Sequence, residues 1–149
     1  MEAFYMDNLG NLAQDISILH RQYYKDTGND FKKLDLNPTA TCILLTVNDH
    51  PNINQQEISE RLVIDKSLTA REINRMQKLN YLDKGNGKGK SVTINLTDLG
   101  RSLMPQLRHI RQQWWTDKFA ETGIDANSPL MEGIQTIVEH VTGYDNQLD

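Results

Sequence analysis

Between Lys66 and Lys78, the residues Ser67, Ala70, Arg71, Asn74 and Lys78 recur at spacings of one, three and four, with Arg75 at their flank and Lys66 at the start. On a helix this spacing gathers side chains onto one face. A serine hydroxyl, an asparagine amide and an arginine guanidinium are the groups that match base edges in a major groove. The start of such a helix also offers free N–H groups and a positive dipole end to phosphate. Just downstream, Lys84, Lys88 and Lys90 gather around Gly85-Asn86-Gly87-Lys88-Gly89. Three glycines allow tight turns and close approach to a backbone, and cations on an exposed tip suit phosphate or a minor-groove edge. Each feature has a plainer reading: a solvated face of mixed charge, and lysines that guard an edge strand from pairing. Taken together they predict a surface for nucleic acid.

The elements that must hold these residues can be read from capping and periodicity. Asn54 with Glu57 three residues on has the form of a capping box, and Ile58 and Leu62 supply a buried side. Asp65 is placed to cap the next helix, running to about Leu79, with Ile73, Met76 and Leu79 inward and Thr69 or Leu68 completing that face. Asn80 follows where a left-handed cap residue is expected. Leu82–Lys84 and Ser91–Leu96 read as two short strands, because Val92, Ile94 and Leu96 alternate with polar residues. A helix pair followed by a basic hairpin is the outline of a winged helix-turn-helix.

Upstream, Leu9, Leu12, Ala13, Ile16, Leu19 and Tyr23 form an apolar stripe on a helix predicted from Tyr5 to Lys25, broken by Thr27-Gly28-Asn29-Asp30. A second helix is predicted from Asn37-Pro38 to about Asp49-His50-Pro51. Downstream, Thr97 caps a helix carrying Leu99, Leu103, Leu107, Ile110, Trp114 and Phe119, interrupted near Pro105 and ended by Gly123. Ser128-Pro129 restarts a last helix with Leu130, Ile134, Ile137, Val138 and Val141 inward. No repeat or linker divides the chain.

The 149 residues, 38% hydrophobic and 24% charged, suit one globular domain. No apolar run approaches the roughly 20 residues that span a bilayer, and the acidic start MEAFYMDNLGNLAQD lacks the pattern of a signal peptide. A cytoplasmic protein without membrane contact is expected. The net charge is −4, yet residues 52–101 hold nine Lys/Arg against six Asp/Glu, leaving the acidic surplus elsewhere. A local positive surface is what phosphate contact requires. Cys42 is alone, so it makes no internal disulfide. His20, His50, His109 and His140 lack metal-ligand spacing, and no nucleophile motif or phosphate loop appears. Neither a metal, a cofactor nor an enzyme is expected.

The segments ISERLVIDKSLTAREINRM, NYLDK and INLTDLGRSL, with the L-T-x-x-G-R exit after the basic hairpin, carry a family likeness. The block Ile58–Leu103 resembles the winged-helix core of the MarR family of bacterial transcriptional regulators, and the flanking helices fit as well. The resemblance implies a mainly α fold with a small β-hairpin. A winged-helix lobe at about 38–101 would be flanked by dimerisation helices at about 1–30 and 102–149. It also implies a homodimer that represses promoters and releases DNA when a small effector binds. By position, Ser67, Thr69, Ala70 and Arg71 fall on the groove-reading segment, and Gln56 at the start of the preceding helix falls beside the backbone. Lys88 and Lys90 stand where the family's wing has Asp-x-Arg, Ala70 stands for a usual threonine, and Asn80 for a common glycine. The family's effector cleft lies between the dimer helices and the lobe, where Tyr23, Tyr24 and Trp114 are the candidate lining residues; aromatic core is the plainer reading. For Cys42, redox sensing as in some relatives stands against a buried inert thiol.

The terminal helices carry more apolar surface than one small lobe needs. Pairing them about a two-fold axis buries that surface and sets two recognition helices about 34 Å apart, one turn of DNA. The expected function is a sequence-specific DNA-binding regulator acting on a pseudo-palindromic operator. The rival is a winged-helix protein-interaction module with weak or lost DNA binding, which Ala70 and the missing wing arginine suit.

Overall fold

Capping residues set most of the element boundaries in the computed structural model, which describes residues 8–87, 89 and 91–145. The predicted helix start at Tyr5 and the wing residues Lys88 and Lys90 lie outside the described residues. The backbone divides into two units, residues 1–38 and 39–149.

The first unit is one long helix, α1 (Asn11–Lys32). The predicted break at Thr27-Gly28-Asn29-Asp30 does not occur. Thr27 donates its hydroxyl to the Tyr23 carbonyl at 2.6 Å, and the Thr27 and Phe31 side chains are buried. Burial one turn apart on the same face outweighs the roughly 1 kcal/mol by which a glycine weakens a helix. The helix stops instead in a Schellman turn: Asp35 has a left-handed φ of 60°, and Leu36 N–H reaches the Phe31 carbonyl at 2.9 Å. The predicted stripe faces outward in this chain: Leu9, Leu12, Ile16 and Leu19 are all exposed.

The second unit begins with α2 (Pro38–Asp49), where proline at the first turn removes no bonded N–H. α3 (Gln55–Leu62) is capped by Asn54, whose side chain accepts from Glu57 N–H at 2.8 Å. α4 (Lys66–Lys78) is capped by Asp65, which accepts from the N–H groups of Ser67 and Leu68. It ends in a second Schellman turn: Asn80 has φ 64°, and Tyr81 N–H reaches the Met76 carbonyl at 2.9 Å. β1 (Leu82–Asn86) and β2 (Val92–Leu96) pair antiparallel, Leu82 opposite Leu96 and Asn86 opposite Val92. The first strand therefore runs two residues further than predicted. Ile53 forms an isolated antiparallel bridge with Ile94 on the other edge of β2, a third pairing that the sequence pattern did not reveal.

α5 (Asp98–Ser102) and α6 (Met104–Thr122) replace the one long helix, breaking at Leu103 just before Pro105, as the proline requires. α6 stops at Gly123 in the left-handed conformation, and α7 (Pro129–Thr142) follows. The core of the lobe joins Ile58 of α3, Ile73 and Met76 of α4, Leu82 of β1, and Ile94 and Leu96 of β2, all buried. The apolar face of α7 is a correction. Leu130, Ile134, Ile137, Val138 and Val141 were expected inward but are 41–68% exposed, because no described element of the second unit covers them.

Candidate nucleic-acid interface

The candidate interface comprises the outer face of α4 and the start of α3. Asp65 holds the first N–H groups of α4, so the helix begins sharply and sets Lys66 and Ser67 at its exposed start. Arg71, Asn74 and Lys78 continue along the exposed side, and Ala70 is half-buried between them. Arg71 makes no ion pair among the described residues, which leaves its guanidinium fork outward. Arg75 lies at the flank, with its guanidinium on Glu72 at 2.8 Å.

Two site residues stand differently from expectation. Thr69 is fully buried, and its hydroxyl donates to the Asp65 carbonyl at 2.9 Å. It therefore belongs to the inner face, the second of the two positions its spacing allowed, and not to the reading face. Lys84 is not at the hairpin tip: it lies on β1 opposite Ile94, and its Nζ donates to Asn74 Oδ1 at 2.6 Å. That bond ties the hairpin to the recognition helix, and it occupies one lone-pair direction of the Asn74 oxygen.

The L-T-x-x-G-R exit is a clasp at the base of the wing. Thr97 Oγ1 donates to the Asn80 carbonyl at 2.6 Å and accepts from Gly100 N–H at 3.0 Å. Arg101 donates to the Leu96 carbonyl at 3.1 Å and pairs with Asp98 at 2.6 Å. Gly100 is required because a Cβ there would overlap the Tyr81 carbonyl oxygen.

Gln56 is exposed on the first turn of α3, and its Nε2 donates to Glu60 Oε1 at 2.9 Å. Tyr144 donates its phenol to Glu60 Oε2 at 2.7 Å. The bonds from Tyr144 and then Gln56 hold the Glu60 carboxyl below its ordinary value, and the same bond to Glu60 raises the Tyr144 phenol. Sequence reasoning missed both residues. The four-residue step from Gln56 to Glu60 is a helical signal, whereas Tyr144 lies 84 residues from its partner and offered none.

A separate cleft of about 220 Å³ opens between α2, α3 and α6. Cys42, Thr46, His50, Arg61 and Arg111 are among its walls. Trp114 is buried and is not one of them. Tyr23 and Tyr24 lie half-buried on α1, edge to face with centroids 6.4 Å apart.

A capped helix pair, a recognition helix with an outward cationic face and a braced antiparallel hairpin define a winged helix-turn-helix protein. Residues 34–90 match the family model described as the MarR family. The uncharacterised HTH-type transcriptional regulator YybA of Bacillus subtilis (strain 168) is 24% identical over 104 residues, covering 67% of this chain and 68% of that protein. A MarR protein from Peptoclostridium difficile DA00132 superposes with a TM-score of 0.79 at 20% identity, over 89% of this chain and 88% of its own. A Staphylococcus aureus MarR in complex with salicylate and kanamycin gives 0.75 at 20% identity, over 95% and 96%. The similarity to the MarR family spans residues 34–90, from the turn after α1 through β1. Among the described residues, no helix is long and apolar enough to cross a membrane.

Proposed function

We propose that this chain is a sequence-specific DNA-binding transcriptional regulator, a homodimer that represses from a pseudo-palindromic operator and responds to a small ligand. The outward face of α4 carries the reading: Arg71 projects a guanidinium with no ion pair among the described residues, flanked by Ser67 and Asn74, from a helix whose start is capped and whose middle is tied to the hairpin. Such a fork pairs with guanine O6 and N7, while Lys66, Lys78 and the wing supply phosphate contact. The apolar faces of α1 and α7 support the homodimer. The cleft between α2, α3 and α6 supports ligand response, since Arg111 offers a cation to an anionic group there. Salicylate in the Staphylococcus aureus relative is a ligand of that chemistry.

The test is binding to DNA upstream of the chain's own gene. Arg71→Ala is expected to weaken that binding by about 1–3 kcal/mol, roughly five- to 150-fold, and to relax specificity. Measured by fluorescence anisotropy, an unchanged affinity would overturn the site assignment, and no binding by the wild-type chain would favour a protein-interaction module instead.

A further inference from the structure

Gln56 is the α3 side chain that faces the DNA backbone in the reading above, and its amide is already engaged. It donates to one oxygen of Glu60, whose other oxygen accepts from Tyr144 just past α7. The Tyr144 ring lies under the Arg61 guanidinium, 4.3 Å from carbon to centroid, and Arg61 pairs with Glu57 at 3.5 Å. Beside this chain of contacts, Gln55, Gln56, Ser59 and Lys66 frame a recess of about 160 Å³. The recess has an ammonium and two amides for a phosphate, and Glu60 is not among its walls. An untethered Glu60 would sample rotamers that bring its charge toward that recess and oppose an incoming phosphate. Held at both oxygens, it stays with Gln56.

We propose that Tyr144 is a positioning residue for backbone contact: by holding Glu60 it fixes the Gln56 amide and keeps the carboxylate out of a phosphate-sized recess at the start of the helix pair. The C-terminal end of the chain thereby sets how the lobe meets DNA. This rests on the DNA-binding reading.

Tyr144→Phe removes the phenol but keeps the ring under Arg61, so the variant retains its fold. Affinity is measured for a duplex from upstream of the gene and for an unrelated duplex at low salt. Tyr144→Phe is expected to weaken both by about three- to tenfold, since the lost bond serves backbone contact rather than base reading. In a Glu60→Ala background the same substitution should change affinity by less than about twofold, because both effects of Tyr144 act through Glu60. Wild-type affinity in Tyr144→Phe, or equal losses in the two backgrounds, overturns the proposal; equal losses would make Tyr144 a general packing contact. If binding depends on Arg71 but not on Tyr144, this inference alone falls. If the wild-type chain binds neither duplex, the DNA-binding reading falls and takes it along.

Discussion

Cys42 sits on the wall of the cleft between α2, α3 and α6, and burial pushes its thiol above the ordinary value while Arg111 partly offsets that. A thiol with a raised value is held in its neutral form. Its contribution to stability is complete below the unfolded-state value and is lost as pH rises through the folded one. Iodoacetamide should therefore label Cys42 slowly at neutral pH and faster only above the ordinary thiol range of about 8.5, or on unfolding. Rapid labelling of the folded protein at pH 7 would contradict this and revive a redox role. Thr69 makes a related point. Its spacing fits either face of α4, and a 0% exposed position with a hydroxyl bonded to the Asp65 carbonyl removes it from base reading.

The clasp after β2 shows what a short motif does at the scale of elements. Thr97 spans from the end of α4 to the start of α5, and Arg101 reaches back to β2, so three elements meet at five residues. Gly100 makes the approach possible. Gly100→Ala forces either α5 or the Tyr81 carbonyl to move, and is expected to lower stability by about 1–3 kcal/mol. Thermal or urea unfolding measures it, and a wild-type midpoint would show that α5 has room to shift. At the turn between α3 and α4, Val63 has a left-handed φ of 51°, which a β-branched residue adopts against steric resistance. The Ile64 N–H bond to the Ser59 carbonyl at 3.0 Å helps hold that turn.

At the scale of the whole molecule, the outward apolar faces of α1 and α7 are the surfaces the proposed dimer would bury, since exposed apolar patches mark association surfaces. In the proposed homodimer a second copy would supply matching faces and double the outward face of α4, spacing the two by about one turn of DNA. Ile134→Lys with Ile137→Lys places two charges on the α7 face. This variant is expected to be monomeric by light scattering at micromolar concentration, where a dimer is expected of the wild type, and to lose most affinity for a two-half-site duplex. A dimeric variant would place the interface elsewhere. Both residues are exposed in the single chain, so the substitutions spare its core.

Capping and periodicity are local, and they made most of the lobe legible in the chain itself: Asn54, Asp65, Asn80, Thr97, Pro105 and Gly123 each stand at the boundary their chemistry requires. Tertiary structure decided what local chemistry leaves open. Continuity of α1 through Gly28 depended on burial of Thr27 and Phe31. The inner place of Thr69, the tie from Lys84 to Asn74 and the reach of Tyr144 to Glu60 depended on where distant segments pack. A helix face has one period but two possible neighbours. Only the folded chain determines which side of it is dry.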